Sequence, residues 1–271
     1  MYQKAIVTFV DILGFGDFVQ KSDYKAVEKV LDAVEESTSP IILDELDNEG
    51  DNTEVVSFSD SIVRVRKIES EANKKYPTGV LFQELLSLVH AQVELIDLNI
   101  IIRGGVTIGD IFISEGRVFG PGLVEAYSLE NKYAKYPRIV IDPKLVYEYK
   151  TNELLRARWH RLEEEREIVS GLIKQSDDGM WFIDYARAVK SEVDEPEYYF
   201  DFLQKHRNVI LAGAKNHKKL NAILSKFVWM AHYHNQIISD ISDKWFEKYG
   251  LNKKKYSISS DEIPALQYMD S

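Results

Sequence analysis

The sequence contains no cysteine. That absence excludes a disulfide framework, a zinc–thiolate centre and thiol catalysis, and it fits a reducing cytosol. Long apolar runs are missing as well: no stretch approaches the roughly 20 residues of a membrane span. Met1-Tyr2-Gln3-Lys4 does not read as a signal peptide, so a cytoplasmic protein is expected. A surplus of positive charge is also lacking, since 44 acidic side chains face 34 basic ones and the formal net charge is −10. Polyanions repel such a surface, so nucleic acid is not the expected partner. A nucleotide remains possible, because a bound metal neutralises its charge. No internal repeat is found. What the chain does have is 45% hydrophobic and 11% aromatic residues, ample for a packed core. Its 271 residues suit one large domain or a domain with an appended piece.

Two short stretches organise the reading. Residues 5–10 form an apolar strand that ends at Asp11 and enters a glycine turn, Ile12-Leu13-Gly14-Phe15. Such a turn leaves backbone N–H groups pointing outward, which suits phosphate oxygens. Val55-Val56-Ser57-Phe58-Ser59-Asp60-Ser61 then places Asp60 at a hairpin tip between apolar runs at 55–58 and 62–65. Each motif alone is compatible with plain turn chemistry. Together, two carboxylates at adjacent strand ends suit Mg²⁺ or Mn²⁺, hard cations that prefer oxygen ligands and bring nucleotide phosphates with them.

In chain order, Ser22-Asp23 caps a helix with Val27, Val30, Leu31 and Val34 at three- and four-residue spacing. Pro40 interrupts that run, a second short helix is expected at 41–46, and 47–53 reads as a loop. Pro77-Thr78 starts a helix burying Val80, Leu81, Leu85, Leu88, Val89 and Val93. Residues 100–108 read as a strand interrupted by one charge, Arg103, and 109–113 run on into a hairpin that turns at Glu115-Gly116-Arg117. A charge in an apolar strand is costly without a partner. Arg103 is therefore read either as a base or phosphate contact or as half of a structural ion pair. Arg117 is read as a solvated turn residue or as a positive charge facing substrate. Residues 118–122 lead into a helix reaching Leu129, and 138–141 form a strand closed by Asp142-Pro143. The order β-α-α-β-β-α-β-β-α-β predicts an α+β sheet with helices packed on it.

Beyond residue 150 the pattern changes. A charged helix is expected over 153–173, a short strand over 180–185, and long helices over 197–211 and 216–249. His232 and His234 lie two apart on different helix faces, so a core or interface role is expected rather than metal chelation. The domains are thus expected as 1–150, catalytic, and 151–271, a mainly helical extension that packs on the sheet or dimerises.

Phe9-Val10-Asp11-Ile12-Leu13-Gly14-Phe15 resembles the first metal motif of the class III nucleotide cyclases, and Phe58-Ser59-Asp60-Ser61 matches the hairpin that gives their second metal Asp. Arg103-Gly104-Gly105-Val106-Thr107-Ile108-Gly109 looks like the family's following strand, and 118–130 resembles its glycine-to-helix segment. The resemblance covers roughly residues 4–142. It implies a ferredoxin-like βαββαβ core and two Mn²⁺ or Mg²⁺ ions per site held by Asp11, Asp60 and the Ile12 carbonyl. It also implies phosphate contacts from the N–H groups of Leu13, Gly14 and Phe15. A homodimer with shared sites follows, with base-reading Val56 and Arg103 contributed by the chain opposite Asp11 and Asp60.

The departures from the family carry information. Adenylyl cyclases have a purine-reading Lys where Val56 stands, and an adenine-reading Asp where Arg117 stands. The helix that usually offers an Asn and an Arg offers Val124 and Ser128. With the helical tail through Trp229-Met230-Ala231-His232-Tyr233-His234-Asn235, the chain resembles the bacterial pyrimidine cyclases of Pycsar anti-phage systems. That resemblance implies conversion of UTP, favoured over CTP, to a cyclic monophosphate that activates a separate effector. One rival is a silent cyclase-like nucleotide-binding regulator, favoured by the missing Asn and Arg. Another is a polymerase- or diguanylate-cyclase-like phosphate enzyme, but Ser59-Asp60-Ser61 stands where a Gly-Gly-Asp/Glu-Glu-Phe signature would be.

Overall fold

The computed structural model describes residues 1–39, 53–70, 79–114, 116–157, 161–217 and 221–268. The expected helix at 41–46, most of the loop at 47–53, the helix start at Pro77-Thr78 and the turn residue Glu115 lie outside the described residues. The chain divides into two compact units: Met1–Leu95 with Ile100–Tyr185, and Ile96–Asn99 with Ala186–Ser271. Two short strands beyond residue 150 join the sheet of the first unit.

The first unit contains β1 (Gln3–Ile12), α1 (Phe15–Lys21), α2 (Tyr24–Thr38), β2 (Thr53–Phe58), β3 (Ser61–Lys67), α3 (Val80–Asp97) and β4 (Ile102–Ser114). It continues with β5 (Arg117–Phe119), α4 (Pro121–Tyr133), β6 (Ile139–Ile141), α5 (Pro143–Thr151), α6 (Leu162–Ser170), β7 (Ile173–Gln175) and β8 (Trp181–Ile183). The strands lie in the order β2-β3-β1-β4-β6-β8-β7, with β5 paired to β4. β1 runs antiparallel to β3 and β4, and β2 antiparallel to β3. With its helical connections, this is the βαββαβ core expected from the sequence.

Side chains alternate across the sheet. On one face Thr8, Arg64 and Arg66 meet α3, where Glu84 accepts hydrogen bonds from Thr8 Oγ1 (2.8 Å), Arg64 Nε (3.0 Å) and Arg66 Nε (2.9 Å). On the other face Ala5, Val7, Val63, Val65, Ile111 and Ile113 pack with Ala126 of α4. Asp11 continues the Ala5–Val7–Phe9 series and so belongs to the α4 face. Gly105 lets α4 sit directly on the sheet, since a Cβ there would lie 2.5 Å from the Ala126 carbonyl oxygen.

Several local expectations change. α1 and α5 were not anticipated; α5 begins where Asp142 accepts from Lys144 N (2.8 Å). The expected helix over 153–173 is broken. Arg156 is extended (φ −113°, ψ 159°), α6 starts with Arg161 N donating to Glu164 (2.9 Å), and Ile173 pairs with Ile183 of β8. Tertiary strand pairing overrides the helical pattern there.

The second unit holds α7 (Tyr185–Glu192) from Ala186 onward, α8 (Pro196–Asn216), α9 (Asn221–Asp240) and α10 (Asp243–Lys248). The single helix expected over 216–249 thus ends at Asp240, and extended Ser242 (φ −64°, ψ 145°) opens a separate short helix. His234 and His206 are buried and share a 3.0 Å Nδ1···Nδ1 contact. His234 Nε2 lies 2.7 Å from the Tyr256 carbonyl, an acceptor only, so Nε2 carries the proton. His234 Nδ1 must then accept from His206. Burial keeps both rings neutral, holding His234 down at about 4 and His206 well below its ordinary range. The core role expected for His234 is what is found. Among the described residues no helix is long and apolar enough to cross a membrane.

Candidate active site

Asp11 is the penultimate residue of β1 and stands in register between Ser61 of β3 and Arg103 of β4. Direct cross-strand neighbours hold their side chains close enough to interact. Arg103 reaches Asp11 Oδ2 through Nε (3.2 Å) and Nη2 (3.1 Å). Nη2 also lies 2.7 Å from Glu130 Oε1 on α4, and Nη1 donates to the Ala134 carbonyl (3.4 Å). Asp11 and Arg103 retain 19% and 23% side-chain exposure, whereas Glu130 retains 4%.

Arg103 therefore lies against the Asp11 of its own chain. The expectation that it would come from the chain opposite Asp11 is corrected: antiparallel β1–β4 pairing fixes guanidinium and carboxylate side by side. Glu130 was not singled out from the sequence as part of the site. Its signal was a lone carboxylate among the buried positions Gly122, Ala126 and Leu129 of α4.

The β2–β3 hairpin brings Asp60 to the same end of β1. Ser59 takes the left-handed conformation (φ 56°), and the Asp60 carbonyl accepts from Ile12 N (3.2 Å). The half-buried Asp60 side chain thus sits on a tip tied to the strand end that carries Asp11. Leu13 N donates to the Ile101 carbonyl (2.8 Å), which corrects its expected role as a phosphate donor. Gly14 has φ 78°, a conformation that favours glycine, and precedes Phe15 at the first turn of α1. The Gly14 and Phe15 amides lie where a helix leaves N–H groups without intrahelical partners.

Val56 and Arg117 lie elsewhere. Val56 pairs with Val63 and packs with Phe9, Val118 and Leu123 against the apolar cluster under α4. It lies on the same sheet face as Asp11, as an apolar wall. Arg117 is exposed and pairs with Ser114 at the far end of β4. At about 3.3 Å per strand residue it stands roughly 35 Å from Arg103. It cannot face the Asp11 of its own chain.

Two carboxylates and a main-chain carbonyl are hard oxygen donors of the kind Mg²⁺ and Mn²⁺ take. Among the described residues no group of three or more His, Cys, Asp or Glu side chains is placed to hold a metal. A divalent ion held by Asp11, Asp60 and the Ile12 carbonyl would take its remaining ligands from water and phosphate oxygens. Asp11 is paired with a cationic group, Arg103, of the same chain.

No family model matches the chain, and no curated protein matches it. Among solved structures it is similar to the guanylyl cyclase Cya2, with 15% identity, a TM-score of 0.41, and coverage of 68% of this chain and 93% of that one. It is also similar to the catalytic core of a rhodopsin-guanylyl cyclase with converted specificity, in complex with ATPαS. There the identity is 14%, the TM-score 0.37, and the coverage 67% of this chain and 95% of that one.

Proposed function

We propose that the protein is a metal-dependent nucleotidyl cyclase that converts UTP, or CTP, to the 3′,5′-cyclic monophosphate and pyrophosphate. The observation that carries this reading is the delivery of Asp11 and Asp60 to one end of an antiparallel βαββαβ sheet, tied together by the Ile12 N–Asp60 O hydrogen bond. Asp11, Asp60 and the Ile12 carbonyl would hold the divalent ions. When bound, these ions supply charge neutralisation for the triphosphate and acidify the ribose 3′-hydroxyl. Asp11 and Asp60 fix where that charge sits relative to the α-phosphorus, and the amides of Gly14 and Phe15 orient phosphate oxygens. Val56 offers the base an apolar wall with no purine-reading amine, which supports a pyrimidine. In a homodimer with shared sites, Arg117 would reach the site from the second copy of the chain. The product would act in the cytoplasm on a separate effector, in anti-phage defence.

A second reading is a silent nucleotide-binding regulator. It is favoured by Val124, 68% exposed where the family's helix offers a polar residue. The test incubates the purified protein with Mn²⁺ and ATP, GTP, CTP or UTP separately, with products identified by mass spectrometry. The expected product is a cyclic pyrimidine monophosphate. Asp11→Ala and Asp60→Ala should each reduce turnover at least a hundredfold while leaving the fold intact. Nucleotide binding without any product would move the assignment to the silent regulator.

A further inference from the structure

We infer that residues 256–266 form a strap latched onto the second unit through His234, and that the latch loosens as the pH falls below neutral. The strap buries Ile258, Ile263 and Leu266, yet α8 and α9 grip it chiefly by its main chain. The Tyr256 carbonyl accepts from His234 Nε2 (2.7 Å), and the Ser257 carbonyl accepts from Arg207 Nε (3.1 Å). Asn235 Oδ1 accepts from the Ile258 amide and Nδ2 donates to the Ile258 carbonyl, both at 2.8 Å. Arg207 also pairs with Glu262. Of the three side chains that hold these consecutive residues, His234 is the one that changes charge near neutral pH. Arg207 stays cationic, and the Asn235 amide does not ionise.

The latch uses both ring nitrogens of His234 in the neutral form: Nε2–H donates to Tyr256, and Nδ1 accepts from His206 Nδ1 at 3.0 Å. A proton added to His234 makes Nδ1 a donor facing a donor, so His206 must give up its own Nδ1 proton. It also puts a charge where both rings are fully buried and within the field of Arg207. The Tyr256 carbonyl favours the charged ring, but burial and Arg207 outweigh it and hold His234 down at about 4. Around the pair, the Phe202 ring stacks on His206 at 5.8 Å and the Tyr233 ring meets it edge-on at 6.2 Å. On the strap side, Asp201 acts on the Tyr256 phenol and Glu262 lies on Arg207. Release takes the Tyr256 carbonyl away and admits water to His234, whose ordinary value is 6.5. The released form therefore binds the proton more readily than the latched one. The latch is at full strength above about pH 6.5 and weakens as the pH falls from there towards 4. At about pH 5.5, His234 alone shifts the latched-to-released ratio about tenfold.

The test is hydrogen–deuterium exchange of the full chain at about pH 7.5, 6.5, 5.5 and 4.5, read by mass spectrometry and corrected for the intrinsic exchange rate at each pH. The Ile258 amide, held by Asn235, reports the latch, and α8 is the control. Protection over 256–266 should fall about tenfold between pH 7.5 and 5.5 while α8 stays protected. A profile flat over that range overturns the inference. So does a loss seen only at pH 4.5, which would belong to the Glu262 carboxyl, whose ordinary value is 4.5. An equal loss in α8 would show the unit opening as a whole and would also overturn it. His234→Gln keeps an amide donor for Tyr256 and cannot titrate, so its protection should be the same at pH 7.5 and 5.5. A tenfold loss in that variant would remove His234 from the latch. Should His234→Gln fail to fold, the pH at which wild-type protection begins to fall decides between His234 and Glu262.

Discussion

Glu84 sits between two buried arginines, and its ionisation is worth following because no solvent shares the work. Burial by itself would raise its pKa, but the attraction of Arg64 and Arg66 and their hydrogen bonds outweigh it and hold it down at about 2. Its usual value is 4.5, so the folded state binds the proton less readily than the unfolded one. The stabilisation is then fully present above about pH 4.5 and is lost as pH falls through about 2. The shift corresponds to about 3 kcal/mol. Urea unfolding at pH 7 and pH 3 should show wild type losing more than half of that contribution, and Glu84→Gln should lack this component. At pH 7 Glu84→Gln should cost about 3–5 kcal/mol, since two buried guanidinium groups lose their shared anion. Equal pH dependence in the two proteins would contradict the assignment. At this scale the sequence was uneven. Asp11 and Asp60 were legible because each ends an apolar run at a turn. The Arg103–Glu130 pair was not, because it depends on strand register and on how closely α4 approaches β4.

The approach of α4 to the sheet is set by small residues. A Cβ on Gly105 would lie 2.5 Å from both the Ala126 carbonyl oxygen and Leu129 Cβ, and one on Gly109 would lie 2.8 Å from Gly122 Cα. Gly105→Ala must therefore lift the middle of α4, the same turns that carry Glu130. Overpacking of this kind costs about 1–3 kcal/mol. The thermal midpoint should fall, as a calorimetric scan would show. A variant as stable as wild type would mean that the helix yields more easily than its backbone contacts suggest. Periodicity made α2, α3 and α4 legible, and the hairpin at Asp60 followed from its flanking apolar runs. The breaks within 153–173 and 216–249 were not legible. One is imposed by pairing between β7 and β8, the other by a single extended serine, Ser242.

Across the first unit, an apolar surface runs over the face that carries Asp11. Val124 is 68% exposed and Tyr127 50%, and Tyr127 meets the Phe9 ring edge-on at 5.4 Å. On the opposite sheet face, half-exposed Phe119 stacks on its cross-strand partner Phe112 at 4.8 Å. A homodimer seated on α4 would cover Val124 and Tyr127. The proposed homodimer places the Arg117 of one copy at the Asp11 and Asp60 of the other. Asp11→Ala and Arg117→Ala homodimers should then both be inactive, for different reasons. In a mixed dimer one site carries both lesions and the other carries neither. Random exchange makes half of the dimers mixed, each with one intact site of two, so about a quarter of wild-type activity should return. Separate purification, mixing, and a cyclic-nucleotide assay against each variant alone would measure this. Val124→Glu/Tyr127→Glu should abolish both the dimer, by light scattering, and the recovery. If the mixture stays as inactive as its components although subunit exchange is demonstrated, each site is built from one chain. An Arg117→Ala homodimer as active as wild type would leave Arg117, roughly 35 Å along the strand from Arg103, with no part in the site.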